Sequence, residues 1–479
     1  MSEKKKSATP PPLEQVSTLQ RILHHDAMAA IFLLVGAVAA FFMANSSIMI
    51  KGIPLFEWYA DLWHVDLGIY IHGEVISKSL HHLINDGLMA IFFFIVGLEI
   101  KRELLVGELA SFRKALLPIA AAIGGMVCPA VVYSIVNYGT ETAGGWGIPM
   151  ATDIAFSAGV LGLLSKRIPS GLAIFLIALA IVDDLGSVTV IALFYTDGIT
   201  ARPLLVGLTM IILSFVFARM GVRNALVFIL MAGVIWVEFF LSGVHATIAG
   251  VLFAFTIPAD ARYETPLFIK RINKLLQRFH EAEDHVNPLL VNSRQQRVVR
   301  AIEAECIHVE APLQRIEHKL HPICAFIIMP VFAFANSGVH LDFSQIGEVF
   351  NQKVTWGVIL GLILGKQIGI FGASWLTVKA GLAELPAGVN WRQIYGVTWL
   401  AGIGFTMSLF IGGLAFPVGH DAGHGSIEAA GHMADHLAGA KVGTLLASII
   451  AGSVGTIILI FATKKPAETV EASETNSDV

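Results

Sequence analysis

The chain has 479 residues, of which 55% are hydrophobic and only 14% charged, and its mean hydropathy is +0.71. Soluble domains carry about 25% charged residues, so this composition excludes a soluble globular protein and points to a multi-pass membrane protein. The formal net charge of −4 gives no sign of a nucleic-acid partner.

Residues 1–26 are polar and Pro-containing, lack the apolar core and cleavage site of a secretory signal, and read as a tail. A span needs about 20 mostly apolar residues, and on that window about twelve candidate helices follow. Their cores are 27–45, 83–100, 115–136, 146–164, 171–195, 203–218, 224–240, 243–257, 313–335, 355–377, 394–416 and 442–463, several of them short or interrupted by glycine. Between the first two, IYIHGEVISK places β-prone residues around Gly73 and predicts a hairpin near 68–78. An exposed hairpin can pair with its copy and make a homodimer; a surface hairpin without a partner reads equally well.

Residues 258–311 carry both charge signs, among them Arg262, Lys270, Arg271, Lys274, Glu281, Glu283, Asp284, Arg294, Arg297 and Arg300. This predicts a linker holding one or two amphipathic helices on the membrane surface or against the core, with a plain solvated linker as the simpler reading. The stretch 416–441, with its core at 417–440, sets His420, His424, His432 and His436 among glycines and reads as a flexible loop. His432 and His436 share a helix face, but nothing there fixes four-ligand metal geometry. Residues 464–479 form a second tail, and Cys128, Cys306 and Cys324 show neither metal spacing nor a reason to pair.

Lys and Arg fall unevenly when loops are assigned to alternating sides. Lys4 to Lys6, Lys101, Arg102, Arg113, Lys114, Lys166, Arg167, Arg219, Arg223, the basic residues of the linker, Lys464 and Lys465 share one side, whereas Lys51, Lys78, Arg202, Lys353 and Lys441 take the other. The positive-inside rule then makes the rich side cytoplasmic, with both termini on it.

The fifth window, GLAIFLIALAIVDDLGSVTVIALFY, holds Asp183 and Asp184 at its middle. A charge near a bilayer centre costs roughly 2.5 to 3.5 kcal/mol, so an intramembrane pair marks a functional site. A purely structural ion pair is the weaker reading, since one lysine cannot neutralise two aspartates. Three other windows are polar at depth. WGIPMATDIAFSAGVLGLL places Thr152 and Asp153 shortly after Pro149, WGVILGLILGKQIGIFGASWL has Lys366 at its midpoint, and YGVTWLAGIGFTMSLFIGGLAF carries Thr406 and Ser408 among Gly402, Gly404, Gly412 and Gly413. Backbone that leaves helical geometry in a bilayer must be shielded or line a wet cavity, so the windows at 146 and 395 predict broken helices that cross near a substrate site. Asp153 then compensates the positive half-helix ends and Lys366 the negative ones. An N-cap role is compatible with this for Asp153; for Lys366, a structural ion pair with Asp183 stands beside a transport role.

With these residues in view, the chain resembles the NhaA family of sodium/proton antiporters. The resemblance rests on ATDIAFSAGVLGLL, FLIALAIVDDLGSVTVIALFY, NDGLMAIFFFIVGLEIKREL, SGVHATIAGV, PVFAFANSGV, LGKQIGI and AGIGFTMSLFI, which cover nearly the whole membrane core. It implies an all-α bundle of about twelve helices with inverted repeats and two discontinuous crossing helices, and a core domain that moves against an interface domain. It also implies cation binding at Asp183 and Asp184, a crossing assembly that includes Thr152, Asp153 and Lys366, and a place in a bacterial inner membrane. The long linker and the His- and Gly-containing stretch depart from the matched core.

Two neighbouring carboxylates in a low-dielectric cavity cannot both be charged cheaply, so protons and a hard cation such as Na⁺ or Li⁺ compete for the same oxygens. Exchange follows without a covalent step or a cofactor, which makes the chain a transporter and not an enzyme. Two titratable groups serving one monovalent ion predict electrogenic exchange, although Lys366 can instead supply one proton. RIEHKLHP sets Glu317, His318 and His321 at the start of the ninth window, and Glu99 and Glu103 lie at the same membrane face; together they suit a pH sensor or are ordinary interfacial polar residues. His245 reads as a packed, hydrogen-bonded histidine.

A sodium- or proton-coupled solute symporter is the nearest rival. An intramembrane aspartyl protease needs its two aspartates on separate helices, a channel needs no titrating pair, and no P-loop is present to use a nucleotide.

Overall fold

The computed structural model describes residues 18–50, 52–71, 74–165, 167–196, 198–222, 224–260, 265–282, 293–340, 346–417 and 427–463. Helix α1 (Thr18–Asn45) is followed by the short strands β1 (Met49–Ile50) and β2 (Ile53–Pro54), α2 (Leu55–Trp63), and the hairpin strands β3 (Asp66–Ile71) and β4 (Glu74–Ser79). The hairpin is antiparallel, with Asp66 opposite Ser79 and Ile71 opposite Glu74; its tip at Gly73 lies outside the described residues. Next come α3 (Leu80–Leu83), a π-helical turn at Ile84–Leu88, α4 (Met89–Val106), α5 (Phe112–Val136), a 3₁₀ stretch at Glu141–Met150, α6 (Ile154–Leu163), α7 (Ser170–Phe194), α8 (Ala201–Arg219), α9 (Ala225–Ser242) and α10 (Ala246–Ala254). The charged segment supplies α11 (Thr265–Glu281) and α12 (Ser293–Val309), which pack on each other with an Arg271–Glu305 ion pair at 3.1 Å. The rest consists of α13 (Pro312–Ile323), a π turn, α14 (Met329–Asn336), α15 (Ile346–Asn351), α16 (Lys353–Leu360), two π turns that flank Lys366, α17 (Gly372–Lys379), α18 (Trp391–Ala401), α19 (Phe405–Ala415) and α20 (Ile427–Ala462).

By length and composition nine of the described helical segments can cross a membrane, or ten when α18 and α19, bent by 42°, count as one span. Among the described residues the expected twelve is therefore not confirmed. Helix α9 fills the window at 224–240 with 18 residues and ends at Gly243, at φ +80°, whereas the nine-residue α10 in the window at 243–257 rises only about 14 Å. Two further boundaries move. Helix α1 is already running at Thr18, inside the stretch read as a tail, and α20 begins at Ile427, so most of the stretch read as a loop is helical. The alanines of IEAAGHMADHLAGA favour helix, and α20 packs along α16, α18 and α19. Residues 1–17, 418–426 with His420 and His424, and 464–479 lie outside the described residues.

Burial separates the core from the lipid face. Only 11% of the best apolar window of α8 is buried, against 61% for α7; Leu205, Ile212 and Phe215 of α8 lie exposed, as lipid contacts do. Helix α7 sits among α4, α5, α6 and α18. Opposite it, the span with Lys366 carries glycine every fourth residue, Gly357, Gly361, Gly365 and Gly369, on the face turned to α5 and the 3₁₀ stretch. A Cβ at Gly361 would stand 2.6 Å from Pro149, and one at Gly365 2.5 Å from the Pro129 backbone. This smooth ridge lets backbones approach closely, as small residues do between membrane helices, and it presses Lys366 toward α7. Gly369→Leu is expected to destabilise the protein by about 1–3 kcal/mol, read as a lower unfolding temperature in detergent.

Candidate functional site

Two helical interruptions meet in the middle of the bundle. Residues 151–153 between the 3₁₀ stretch and α6 are not helical, nor are 403 and 404 between α18 and α19. Each break frees backbone groups that hydrocarbon cannot satisfy, and each satisfies the other. The Asp153 N–H donates to Ile403 O at 2.7 Å, Thr152 Oγ1 donates to Ala401 O at 2.9 Å, and Ser408 Oγ donates to Ile148 O at 2.7 Å.

Asp153 is 1% exposed and serves both helix starts. Its Oδ1 accepts from Phe156 N at 2.9 Å, which caps α6, and its Oδ2 accepts from Thr406 N at 2.9 Å and from the Thr406 hydroxyl at the start of α19. One carboxylate thus faces two positive helix ends. Lys366 compensates the negative side only indirectly. Its Nζ donates to Asp183 Oδ2 at 2.8 Å and to Thr152 Oγ1 at 2.9 Å, and Thr152 passes the bond on to the carbonyl of Ala401 near the end of α18.

Asp183, Asp184 and Lys366 are all 0% exposed. The ion pair uses one oxygen of Asp183. Asp183 Oδ1 and both oxygens of Asp184 find no hydrogen-bond partner among the described residues. Three carboxylate oxygens buried without donors are costly in hydrocarbon, and they are hard ligands in a place where a proton or an alkali cation can be held. Among the described residues no group of three or more His, Cys, Asp and Glu is placed to hold a metal ion.

The outlying polar residues form a second cluster. Arg102 pairs with Glu317, and its Nη2 with Glu103 Oε1 at 3.2 Å. Lys101 Nζ donates to Phe255 O at 2.8 Å and also to Ile257 O, holding the end of α10. Glu99 is half-buried one turn before Glu103 on α4, and Glu317 is buried. His321 lies half-buried on α13, whereas His318 is exposed and forms no hydrogen bond or ion pair among the described residues. The three glutamates and Arg102 gather; His318 stays apart.

His245 Nε2 bonds the carbonyl of Tyr195. The Tyr195 hydroxyl donates to Gly144 O at 2.9 Å and accepts from Gly147 N at 3.0 Å, bracing the 3₁₀ stretch before the first break. His432 and His436 lie a turn apart on α20, and the His436 ring rests 5.9 Å from that of Phe416. His432 is exposed.

Several contributors escape sequence reading. Arg102 counts there only as a topological charge. Gln367, which donates to Thr398 O at 3.1 Å and accepts from the Thr398 hydroxyl, ties the Lys366 turn to α18. Ser448 of α20 accepts from Phe405 N at 3.2 Å, at the start of α19. Buried polar residues facing a neighbouring break are the available signal, and for Gln367 its place beside Lys366 carries it.

Residues 20–459 match the family described as Na⁺/H⁺ antiporter 1. The chain is 44% identical over 444 residues to Na⁺/H⁺ antiporter NhaA 1 of Saccharophagus degradans, covering 93% of this chain and 91% of the relative. The Na⁺/H⁺ antiporter NhaA of Koribacter versatilis is 44% identical over the same shares, and that of Helicobacter pylori 42% identical over 94% of this chain and 97% of its own length.

Proposed function

This chain belongs to the Na⁺/H⁺ antiporter 1 family, the NhaA antiporters, and on that premise we propose that it exchanges Na⁺ or Li⁺ for protons at Asp183 and Asp184. It is a multi-pass Na⁺/H⁺ antiporter of a bacterial membrane. The observation that carries the site assignment is the set of three buried carboxylate oxygens left without donors beside two meeting helix breaks. Facing the cytoplasm unprotonated, the pair takes a cation from water; the core then rocks outward, incoming protons displace the ion, and the protonated site returns. No cofactor takes part. Asp153 fixes both helix starts, and Thr152 and Lys366 hold Asp183 in register, so the two breaks are read as the crossing assembly of the family.

Two protonatable groups against one monovalent cation make the exchange electrogenic. The decisive assay uses inverted, energised vesicles. Na⁺ or Li⁺ should dissipate a preformed pH gradient without any organic solute, and faster under one sign of imposed potential. A requirement for an organic solute would reject exchange, and an exchange rate blind to potential would reject electrogenicity alone.

We read the basic end of the bundle, with Lys101, Arg102 and the linker helices, as cytoplasmic together with both termini, in a bacterial inner membrane. The β3–β4 edge is the surface for a homodimer. Glu99, Glu103 and Glu317 around Arg102 form the pH-responsive cluster, with His321 beside it and His318 at its edge. Arg102→Gln is expected to displace the pH–activity curve by about one unit, and the His318→Ala/His321→Ala pair to displace it less. A curve unmoved in both would remove the sensor role.

A further inference from the structure

Ser187 is 1% exposed on α7 and its hydroxyl has no hydrogen-bond partner among the described residues. That is unusual for a helical hydroxyl, which ordinarily bonds back to the carbonyl one turn earlier. On this same helix Thr189 Oγ1 bonds Leu185 O at 2.8 Å, and beyond its end Thr196 Oγ1 bonds Ala192 O at 2.9 Å. The Ser187 hydroxyl makes no such bond.

Helix geometry says where it sits. At about 100° per residue, Ser187 sits one turn after the aspartates, about 40° round from Asp183 and about 60° from Asp184, on the sector between them. Helical side chains lean toward the N-terminal turn, which here is the turn that carries both carboxylates. The other hydroxyls at the junction are committed: Thr152 to Lys366 and Ala401, Ser157 to the Asp153 carbonyl, Thr406 to the Asp153 carboxylate. Ser187 Oγ joins Asp183 Oδ1 and the two Asp184 oxygens as a fourth buried oxygen of α7 without a hydrogen-bond partner among the described residues.

We propose that the Ser187 hydroxyl is a ligand of the transported cation, completing with Asp183 and Asp184 an oxygen site fitted to Na⁺. This rests on the assignment of the aspartate pair as the exchange site. A neutral hydroxyl adds a hard donor without adding a charge, so it strengthens cation binding and leaves the proton inventory alone. The smaller Li⁺ fills its shell with fewer ligands and depends on this oxygen less. Ser187 thus sets preference between the ions.

The test compares wild type, Ser187→Ala and Ser187→Cys in inverted vesicles, with half-saturating Na⁺ and Li⁺ concentrations measured separately at one pH. Ser187→Cys keeps the bulk and replaces a hard oxygen by a soft sulfur. Both variants should raise the half-saturating Na⁺ concentration by about tenfold, the loss of one charge-assisted contact, and that for Li⁺ by less than about threefold. Their maximal rates should stay within about twofold of wild type. In detergent, Na⁺ should raise the unfolding temperature of wild type and raise it less in both variants. Unchanged constants, an equal rise for both ions, or a cysteine variant that behaves as wild type while alanine does not would each overturn the proposal. A wild-type protein inert to both ions would instead overturn the exchange assignment.

Discussion

Asp184→Asn is expected to abolish Na⁺- and Li⁺-driven dissipation of a pH gradient, by about a hundredfold or more, while thermal unfolding stays where it is or moves upward. Both Asp184 oxygens are buried without a hydrogen bond among the described residues, so the side chain caps no helix end and pairs with no lysine there. Its ionised form brings desolvation cost and repulsion from Asp183, and structure gains nothing in exchange. The amide has the same shape and no charge. A site kept for its ligand and not for the fold shows this split between activity and stability. Vesicle transport beside unfolding of the purified protein measures it. Wild-type transport would remove Asp184 from the site, and a large stability loss would show that it has a structural partner.

Lys366→Met and Asp183→Asn should each lower stability by about 3–5 kcal/mol, because either one leaves its partner as an uncompensated buried charge. The 2.8 Å contact between them is wholly shielded from solvent, and Thr152 is the second group on the ammonium. The double variant should therefore recover much of the loss. A double-mutant cycle on unfolding temperatures isolates the pair, and additive losses would mean that the two groups are not coupled. Transport fails in the double variant whatever its stability, because Asp183 has gone.

The membrane class, the position of most spans, the Asp183–Asp184 pair, Lys366 at the middle of its span and the weakness of the windows at 146 and 395 could all be read from the sequence. These are local properties: hydropathy, charge within an apolar run, and glycine or proline inside a helix. Some local readings still failed. The stretch 416–441 looks loop-like for its glycines and histidines, but it is helical from Ile427 onward, in a helix that packs along α16 and α19.

Sequence by itself determined which groups lie at membrane depth, since burying them in lipid is affordable only for a purpose. Tertiary structure alone decided how they are paired. Lys366 chooses Asp183 over Asp184 across 183 positions of chain, Asp153 caps two helices that start 251 residues apart, and Arg102 reaches Glu317 across 215. Such choices depend on the rotation and spacing of helices, which the glycine ridge against α5 and the mutual fit of the two breaks set in three dimensions. No window along the chain encodes them.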